Sequence, residues 1–319
     1  MTKKIFVTGS VMPEVEQRLR AGYDVTFHGS DIPPSADELI SAAQGMDGLV
    51  VYPNTPMNAE VIARLPDSVR IIACHAVGVD NVDLDAAQAK GVTVTNTPEV
   101  LDAATAEVAI LLMLGAARRA SEGERLIRRG DWKSWRVDFM VGTEITGRRL
   151  GIIGMGNIGR LVARRARAFD MEVHYFNRRP LPADKAEGAI YHETLDSLLG
   201  VSDVLSLNCP LTAETRHLLN RERIAKLPKG AIVVNTARGP VIDDDALIEA
   251  LKSGHVAAAG LDVFEGEPKL NPAYLGLENT FLLPHIGSAT VKTRTAMGLR
   301  VLENLDAFFA GQEPPHRMA

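Results

Sequence analysis

Along the first third of the chain, short β-branched runs alternate with amphipathic stretches. Residues 5–8, 25–28, 49–52, 71–73 and 92–95 predict strands, and residues 14–20, 36–43, 59–64 and 84–89 predict helices. Ser35 with Glu38 three positions later is a capping box, and Asp83 and Gly91 are placed to start and stop the fourth helix. Strand, helix, strand in this rhythm predicts βαβ units and a parallel sheet. The rhythm breaks at residues 97–119, an Ala- and Leu-rich stretch that predicts one long helix. A polar, Gly-punctuated stretch at 121–147 holds both tryptophans. A second series of strands follows at 150–153, 172–176, 204–207, 231–235, 257–262 and 281–283. A last helical pattern runs from 289 to 310.

The fold class predicted is therefore α/β, with two doubly wound parallel-sheet domains around a cleft that would be the binding site. The length of 319 residues fits two domains. A 46% hydrophobic and 24% charged composition excludes a disordered or fibrous chain. The net charge of −5 gives no sign of a nucleic-acid or anionic-membrane partner. Two cysteines, Cys74 and Cys209, are too few for a disulfide framework or a cysteine-rich metal site. The most apolar segment, 108–117, is about half the roughly 20 residues needed to span a bilayer. With Gly9 and Pro13 interrupting the start, a cytoplasmic protein is expected.

Residues 150–160 read LGIIGMGNIGR, so Gly154, Gly156 and Gly159 fall on G-x-G-x-x-G. The loop follows a predicted strand, opens a predicted helix at 160–169 and is followed by a second strand, the context that makes this motif specific. Gly154 would permit the tight turn, Gly156 the approach of a pyrophosphate, and Gly159 close helix–strand packing. An unmodified adenosine ribose usually meets an acidic residue at the end of the second strand. Here positions 173–183 contain no carboxylate, and Asn177, Arg178 and Arg179 stand there instead. Paired guanidinium groups suit a 2′-phosphate, so NADP(H) is expected in preference to NAD(H), which stays open as the alternative.

Three further residues follow predicted strand ends, where ligands bind in open α/β sheets: Arg238 in NTARGPVID, Glu267 in LDVFEGEP and His285 in LLPHIGS. Together with AVGVDNVDLDAA (76–87), TPEVLDAATAEVAI (97–110), CPLTAETRHLLN (209–220) and PHIGSAT (284–290), these segments resemble the D-isomer-specific 2-hydroxyacid dehydrogenases across essentially the whole chain. The NRRP and GDWKSW segments are most similar to the glyoxylate/hydroxypyruvate reductase branch.

The resemblance implies a flavodoxin-like substrate domain of residues 1–97 plus 288–319 and a Rossmann domain of residues 98–287. It implies that Arg238 binds the substrate carboxylate, that His285 is the proton donor in reduction and that Glu267 orients it. Physical chemistry agrees: a planar carboxylate suits a guanidinium fork, and a carbonyl gaining charge needs an acid in reach. Implied substrate contacts are the Val77 and Gly78 amides and Tyr52. Implied cofactor contacts are Thr105, Met155, Asn157, Ile158, Cys209, Pro210, Thr215, Thr236, Ala237, Asp262 and Gly287, with His285 also beside the nicotinamide. Trp135 and Phe139 would lie near the active site across a homodimer interface, although Phe139 stands where a tryptophan is expected. No metal is expected. Small 2-oxo acids such as glyoxylate and hydroxypyruvate would be reduced to 2-hydroxy acids. The alternatives are an NAD-dependent dehydrogenase of other substrates, or a non-catalytic nucleotide-sensing protein on the same scaffold.

Overall fold

Continuous apolar runs, rather than alternating ones, mark strands covered on both faces, and the central strands of both sheets here are of that kind. The computed structural model describes residues 2–319. Its contacts divide the chain into two units, the first running to Leu101 and including Ser288–Ala319, the second Asp102–Gly287.

The first unit contains β1 (Lys4–Val7), α1 (Pro13–Gly22), β2 (Asp24–Phe27), α2 (Ala36–Ala42), β3 (Gly48–Val51), α3 (Ala59–Arg64), β4 (Ile71–Cys74), α4 (Leu84–Lys90) and β5 (Thr93–Thr95). Its five strands are all parallel, in the order β2-β1-β3-β4-β5, the flavodoxin-like arrangement. Leu39, Val61, Ile62 and Ala87 of α2, α3 and α4 bury one face. Val15 and Leu19 of α1 bury the other, together with C-terminal residues Val301, Leu302 and Leu305. The Ser35–Glu38 capping box is formed, and Asp83 accepts the Ala86 N–H to start α4, which ends at a left-handed Gly91. The chain's last residues pair antiparallel with β5, with Met318 N–H donating to the Val94 carbonyl and Val94 N–H to Ala319. That covers a sheet edge otherwise open to other chains.

The second unit contains α5 (Asp102–Ala117), α6 (Ala120–Arg128), β6 (Arg149–Ile153), α7 (Asn157–Arg167), β7 (Glu172–Phe176), α8 (Ala183–Ala186), β8 (Ile190–Tyr191), α9 (Leu195–Leu199), β9 (Val204–Leu207), α10 (Arg221–Ile224), β10 (Ala231–Asn235), α11 (Asp244–Ser253), β11 (Val256–Leu261) and β12 (Thr280–Leu282). The parallel order is β12-β11-β10-β9-β6-β7-β8. Helices α5 and α7 cover one face through Leu112, Met113, Val162 and Ala166. Helices α9, α10 and α11 cover the other through Leu198, Ile224, Leu247 and Leu251. The chain then returns to the first unit as α12 (Val291–Phe309).

Two expectations are corrected. The predicted helix at 97–119 begins only at Asp102, because Thr97 precedes a proline, which disfavours helical geometry, and Glu99 has φ +70°. It stops where Arg119 turns left-handed at φ +53° and grips Glu122 with two hydrogen bonds of 2.7 and 2.8 Å. Part of the stretch read as polar and irregular is α6. This helix buries none of its residues, and its only large apolar residues are the neighbours Leu126 and Ile127, too few to give a repeating helical pattern. The two-residue strand β8 also escaped prediction.

Candidate active site

In the second unit the strand order reverses at β6, whose neighbours are β7 and β9. Such a reversal opens a crevice beyond the strands' carboxyl ends. Gly154 occupies it at φ +92°, and a Cβ there would lie 2.6 Å from the Cys209 nitrogen. Only glycine tolerates both the angle and the approach. Gly159 packs against the Gly154 carbonyl, where a Cβ would sit 2.3 Å away. Gly156 differs: it is exposed, precedes α7, and a Cβ on it would meet nothing within 4 Å. The first N–H groups of a helix lack intrahelical partners and carry partial positive charge. A bare backbone facing open space at the start of α7 fits a pyrophosphate.

Several residues expected to touch a cofactor are engaged with one another. The Met155 N–H donates to Asn177 Oδ1 at 2.7 Å, tying the end of β7 to the glycine loop. The Thr215 hydroxyl donates to the Pro210 carbonyl at 2.7 Å and shapes the loop after β9. Thr236 Oγ1 lies 3.4 Å from Asn208 Oδ1. Burial pushes the Cys209 thiol up to about 11, so it stays protonated at neutral pH. Cys74, pushed up to about 12, does likewise. Arg178 and Arg179 are exposed just past β7, and Arg178 lies close enough to Glu214 to help hold that carboxyl below its usual range, behind the larger effect of the Thr212 hydroxyl.

The strongest constellation joins the loops after β10, β11 and β12. His285 Nδ1 lies 2.7 Å from Glu267 Oε2, and Glu267 Oε1 accepts the Phe264 N–H at 2.8 Å. Burial alone would raise the Glu267 carboxyl, but His285, the Phe264 amide and the charge of Arg238 outweigh it and hold the carboxyl below its usual range. Glu267 is therefore ionised at neutral pH. The half-buried Arg238 follows β10 and donates from Nη1 to the Ala237 carbonyl at 2.9 Å. At Gly239 a Cβ would fall 1.8 Å from the Phe264 carbonyl carbon. That glycine lets the Arg238 loop lie directly on the Glu267 loop.

Two residues set this geometry. Asp262 is 1% exposed, and its carboxylate accepts the N–H groups of Ile286 at 2.7 Å and Gly287 at 2.8 Å, while its carbonyl accepts the His285 N–H at 2.8 Å. These bonds hold His285 at φ +52°, a conformation uncommon for residues other than glycine. Burial raises the Asp262 carboxyl above its usual range despite the two amides that favour its ionised form. The turn that presents His285 is thus built by a residue expected to contact the cofactor. Asn235 escaped the sequence reading. It is 1% exposed; its Oδ1 accepts the Ala237 N–H at 2.9 Å, and its Nδ2 donates to the Arg238 carbonyl at 3.0 Å. The only signal was its position at the end of an apolar strand, where an Asn must find partners.

In the first unit, residues 76–80 form the loop after β4. Asn81 ties it to the loop after β3, donating to the carbonyls of Tyr52 at 3.1 Å and Thr55 at 2.9 Å. Tyr52 is packed within this unit: its hydroxyl donates to the Ser10 carbonyl at 2.6 Å, and its ring lies 5.0 Å from that of His75. Trp135 is 79% exposed, whereas Phe139 is half-buried with the Arg136 guanidinium 5.8 Å from its ring centroid. Among the described residues no cluster of three or more potential ligands could hold a metal ion, and no helix is long and apolar enough to cross a membrane.

A glycine loop at a switch point and an Arg–Glu–His constellation past neighbouring strand ends define a dinucleotide-dependent dehydrogenase. The D-isomer specific 2-hydroxyacid dehydrogenase NAD binding domain matches residues 110–287. A glycerate dehydrogenase from Hyphomicrobium methylovorum is 44% identical over 319 residues, 99% of each chain. A glyoxylate reductase from Korarchaeum cryptofilum is 41% identical over 99% of this chain and 96% of its own. The structure of an NADPH-dependent glyoxylate/hydroxypyruvate reductase from Sinorhizobium meliloti, in complex with NADP and malonate, superposes with a TM-score of 0.89 at 33% identity, covering 100% of this chain and 97% of that one. The chain belongs to the D-isomer specific 2-hydroxyacid dehydrogenase family, in its glyoxylate reductase branch, and is an NAD(P)-dependent 2-hydroxyacid dehydrogenase.

Proposed function

We propose that this enzyme reduces small 2-oxo acids, glyoxylate and hydroxypyruvate above all, with NADPH preferred and His285 as proton donor. The observation that carries the reading is the 2.7 Å pairing of His285 with an ionised Glu267 in the loop against which Arg238 is packed. When bound, the reduced nicotinamide supplies a hydride to the substrate carbonyl. Glu267 holds the proton on Nδ1, so Nε2 is the nitrogen that gives its proton to the carbonyl oxygen as charge develops there. Arg238 takes the carboxylate in its fork and polarises the carbonyl. In the first unit the Val77 and Gly78 amides serve the same carboxylate. The open backbone at Gly156, with Asn157 and Ile158, receives the pyrophosphate, and Arg178 and Arg179 receive the 2′-phosphate. Thr105 lies within 3.4 Å of where a Gly287 Cβ would stand. With Thr236 and Ala237 these two residues are proposed to line the nicotinamide. The Sinorhizobium relative's NADP complex supports the cofactor, and the glycerate dehydrogenase relative supports the substrate, since glycerate is the 2-hydroxy acid that hydride addition to hydroxypyruvate yields.

Initial rates over a panel of 2-oxo acids with NADPH and NADH test the reading. Appreciable turnover of neither glyoxylate nor hydroxypyruvate would overturn it. Arg238→Lys sharpens the test, because a point charge cannot reproduce two parallel bonds. It is expected to raise KM by about tenfold or more for every 2-oxo acid alike, and an unchanged KM would make Arg238 structural.

The functional form is proposed to be a homodimer. Ile127, Trp132, Trp135, Val137 and Val141 are all more than half exposed within one stretch, and an apolar concentration of this kind marks an interaction surface. Sedimentation equilibrium should give twice the chain mass, and Trp135→Glu with Val137→Glu should shift it toward the monomer. A monomeric wild type would refute the assignment.

A further inference from the structure

The arginine pair past β7 sits in the segment Asn177-Arg178-Arg179-Pro180-Leu181-Pro182. Proline has no N–H and a fixed φ. Leu181 therefore carries the only backbone donor of residues 180–182. That donor goes to the Tyr175 hydroxyl at 3.0 Å. Tyr175 belongs to β7 and is 1% exposed, so its hydroxyl is a fixed point in a packed interior rather than a mobile surface group. The half-buried Leu181 side chain packs on the same core as the Tyr175 ring.

The other end of the segment is held as well. Tyr191 of β8 pairs in register with Tyr175, and the two ring centroids lie 5.4 Å apart. The Tyr191 hydroxyl donates to the Asn177 carbonyl at 3.4 Å, and Asn177 Oδ1 accepts the Met155 N–H of the glycine loop at 2.7 Å. Two neighbouring tyrosines thus pin Asn177 and Leu181, and Arg178, Arg179 and Pro180 bridge the gap between the pins. Both arginines are exposed. Adjacent like charges repel, so an unheld loop would favour arrangements that separate the two guanidinium groups.

We propose that Tyr175 is a positioning residue for NADPH selectivity: through Leu181, its buried hydroxyl holds the Arg178–Arg179 backbone so that both guanidinium groups face one 2′-phosphate. This rests on the reading above that the two arginines receive that phosphate. Preorganisation is the physical content. A loop that must be ordered when the phosphate arrives gives up part of the binding free energy, whereas one already held does not. NADH lacks the phosphate, so its binding draws nothing from the arrangement of the two arginines. The hydroxyl therefore acts on the difference between the two cofactors and not on their common part.

Tyr175→Phe keeps the ring and removes only the acceptor of the Leu181 N–H. Fluorescence titration of the reduced cofactors onto the protein is expected to show the Kd for NADPH raised about fivefold, with the Kd for NADH within about twofold of wild type. A folded Tyr175→Phe with the NADPH Kd unchanged overturns the proposal. So does a rise of both Kd values in step, the mark of a residue that merely supports the unit. If Tyr175→Phe does not fold, Tyr191→Phe decides. It frees the other end of the segment, is expected to lower the ratio of the NADH Kd to the NADPH Kd by about threefold, and overturns the proposal if that ratio is unchanged. Replacing Arg178 and Arg179 together by Ala separates the two failures. If that change raises the NADPH Kd and Tyr175→Phe does not, the positioning role alone falls; if neither raises it, the 2′-phosphate reading falls with it.

Discussion

Replacing His285 by Ala is expected to lower kcat for glyoxylate reduction by about 10²–10⁴, the usual worth of a positioned general acid. Binding of NADPH should be almost unaffected, since His285 supplies the cofactor with no charge partner. Glu267→Gln should act differently. Its carboxylate stays ionised through the neutral range and lies 2.7 Å from Nδ1, so it fixes the tautomer and the orientation of the ring. An amide in its place can donate as well as accept, and the ring is no longer held in one tautomer. Glu267→Gln is therefore expected to lower kcat by about tenfold or more, with the Kd for NADPH nearly unchanged. Stopped-flow rates check both. Near-normal kcat in His285→Ala would remove His285 from the chemistry, and near-normal kcat in Glu267→Gln would leave Glu267 as a support for the Phe264 amide alone.

The second large effect concerns cofactor choice. Replacing Arg178 and Arg179 together by Ala is expected to raise the KM for NADPH by about tenfold to a hundredfold, from the loss of charge-assisted bonds to the 2′-phosphate. The KM for NADH should stay nearly constant, because NADH carries no phosphate there. Both side chains are exposed, so the preference of wild type for NADPH should shrink as salt rises. Glu214, near Arg178, competes for the same cation, which keeps the preference below what two unopposed arginines would give. Equal KM values for both cofactors in wild type would return the pair to ordinary solvated arginines.

Much of this molecule was legible before any coordinates. Strands 172–176, 204–207 and 231–235 were placed to the residue, because each is a short run rich in β-branched, aromatic and aliphatic residues between polar turns. The 36–43 and 84–89 helices were legible through their caps, which act within four residues. The glycine loop was legible because Gly154 and Gly159 are demanded by local turn and packing geometry. The less legible features depended on partners distant in sequence or on weak local signals. Helix α6 buries none of its residues and carries only one adjacent pair of large apolar side chains. The start of α5 was hidden because a left-handed Glu99 leaves no mark on the apolar pattern.

The sequence by itself determined the two α/β units, the order of their strands along the chain, the glycine loop and the identity of Arg238, Glu267 and His285 as residues past strand ends. Each follows from periodicity, capping or turn chemistry, which act over a few neighbours. Only the tertiary structure decided which side chains set those residues' geometry. Asp262 and His285 are 23 positions apart, yet backbone and carboxylate bonds make Asp262 the mould of the histidine's turn. Asn96 and Asn304 are 208 positions apart and share one hydrogen bond. An isolated Asn or Asp at a strand end reads as a turn former, because a short polar side chain satisfies itself locally by default. Burial removes that default: with water excluded, the amide or carboxylate must bond whatever backbone the fold brings to it.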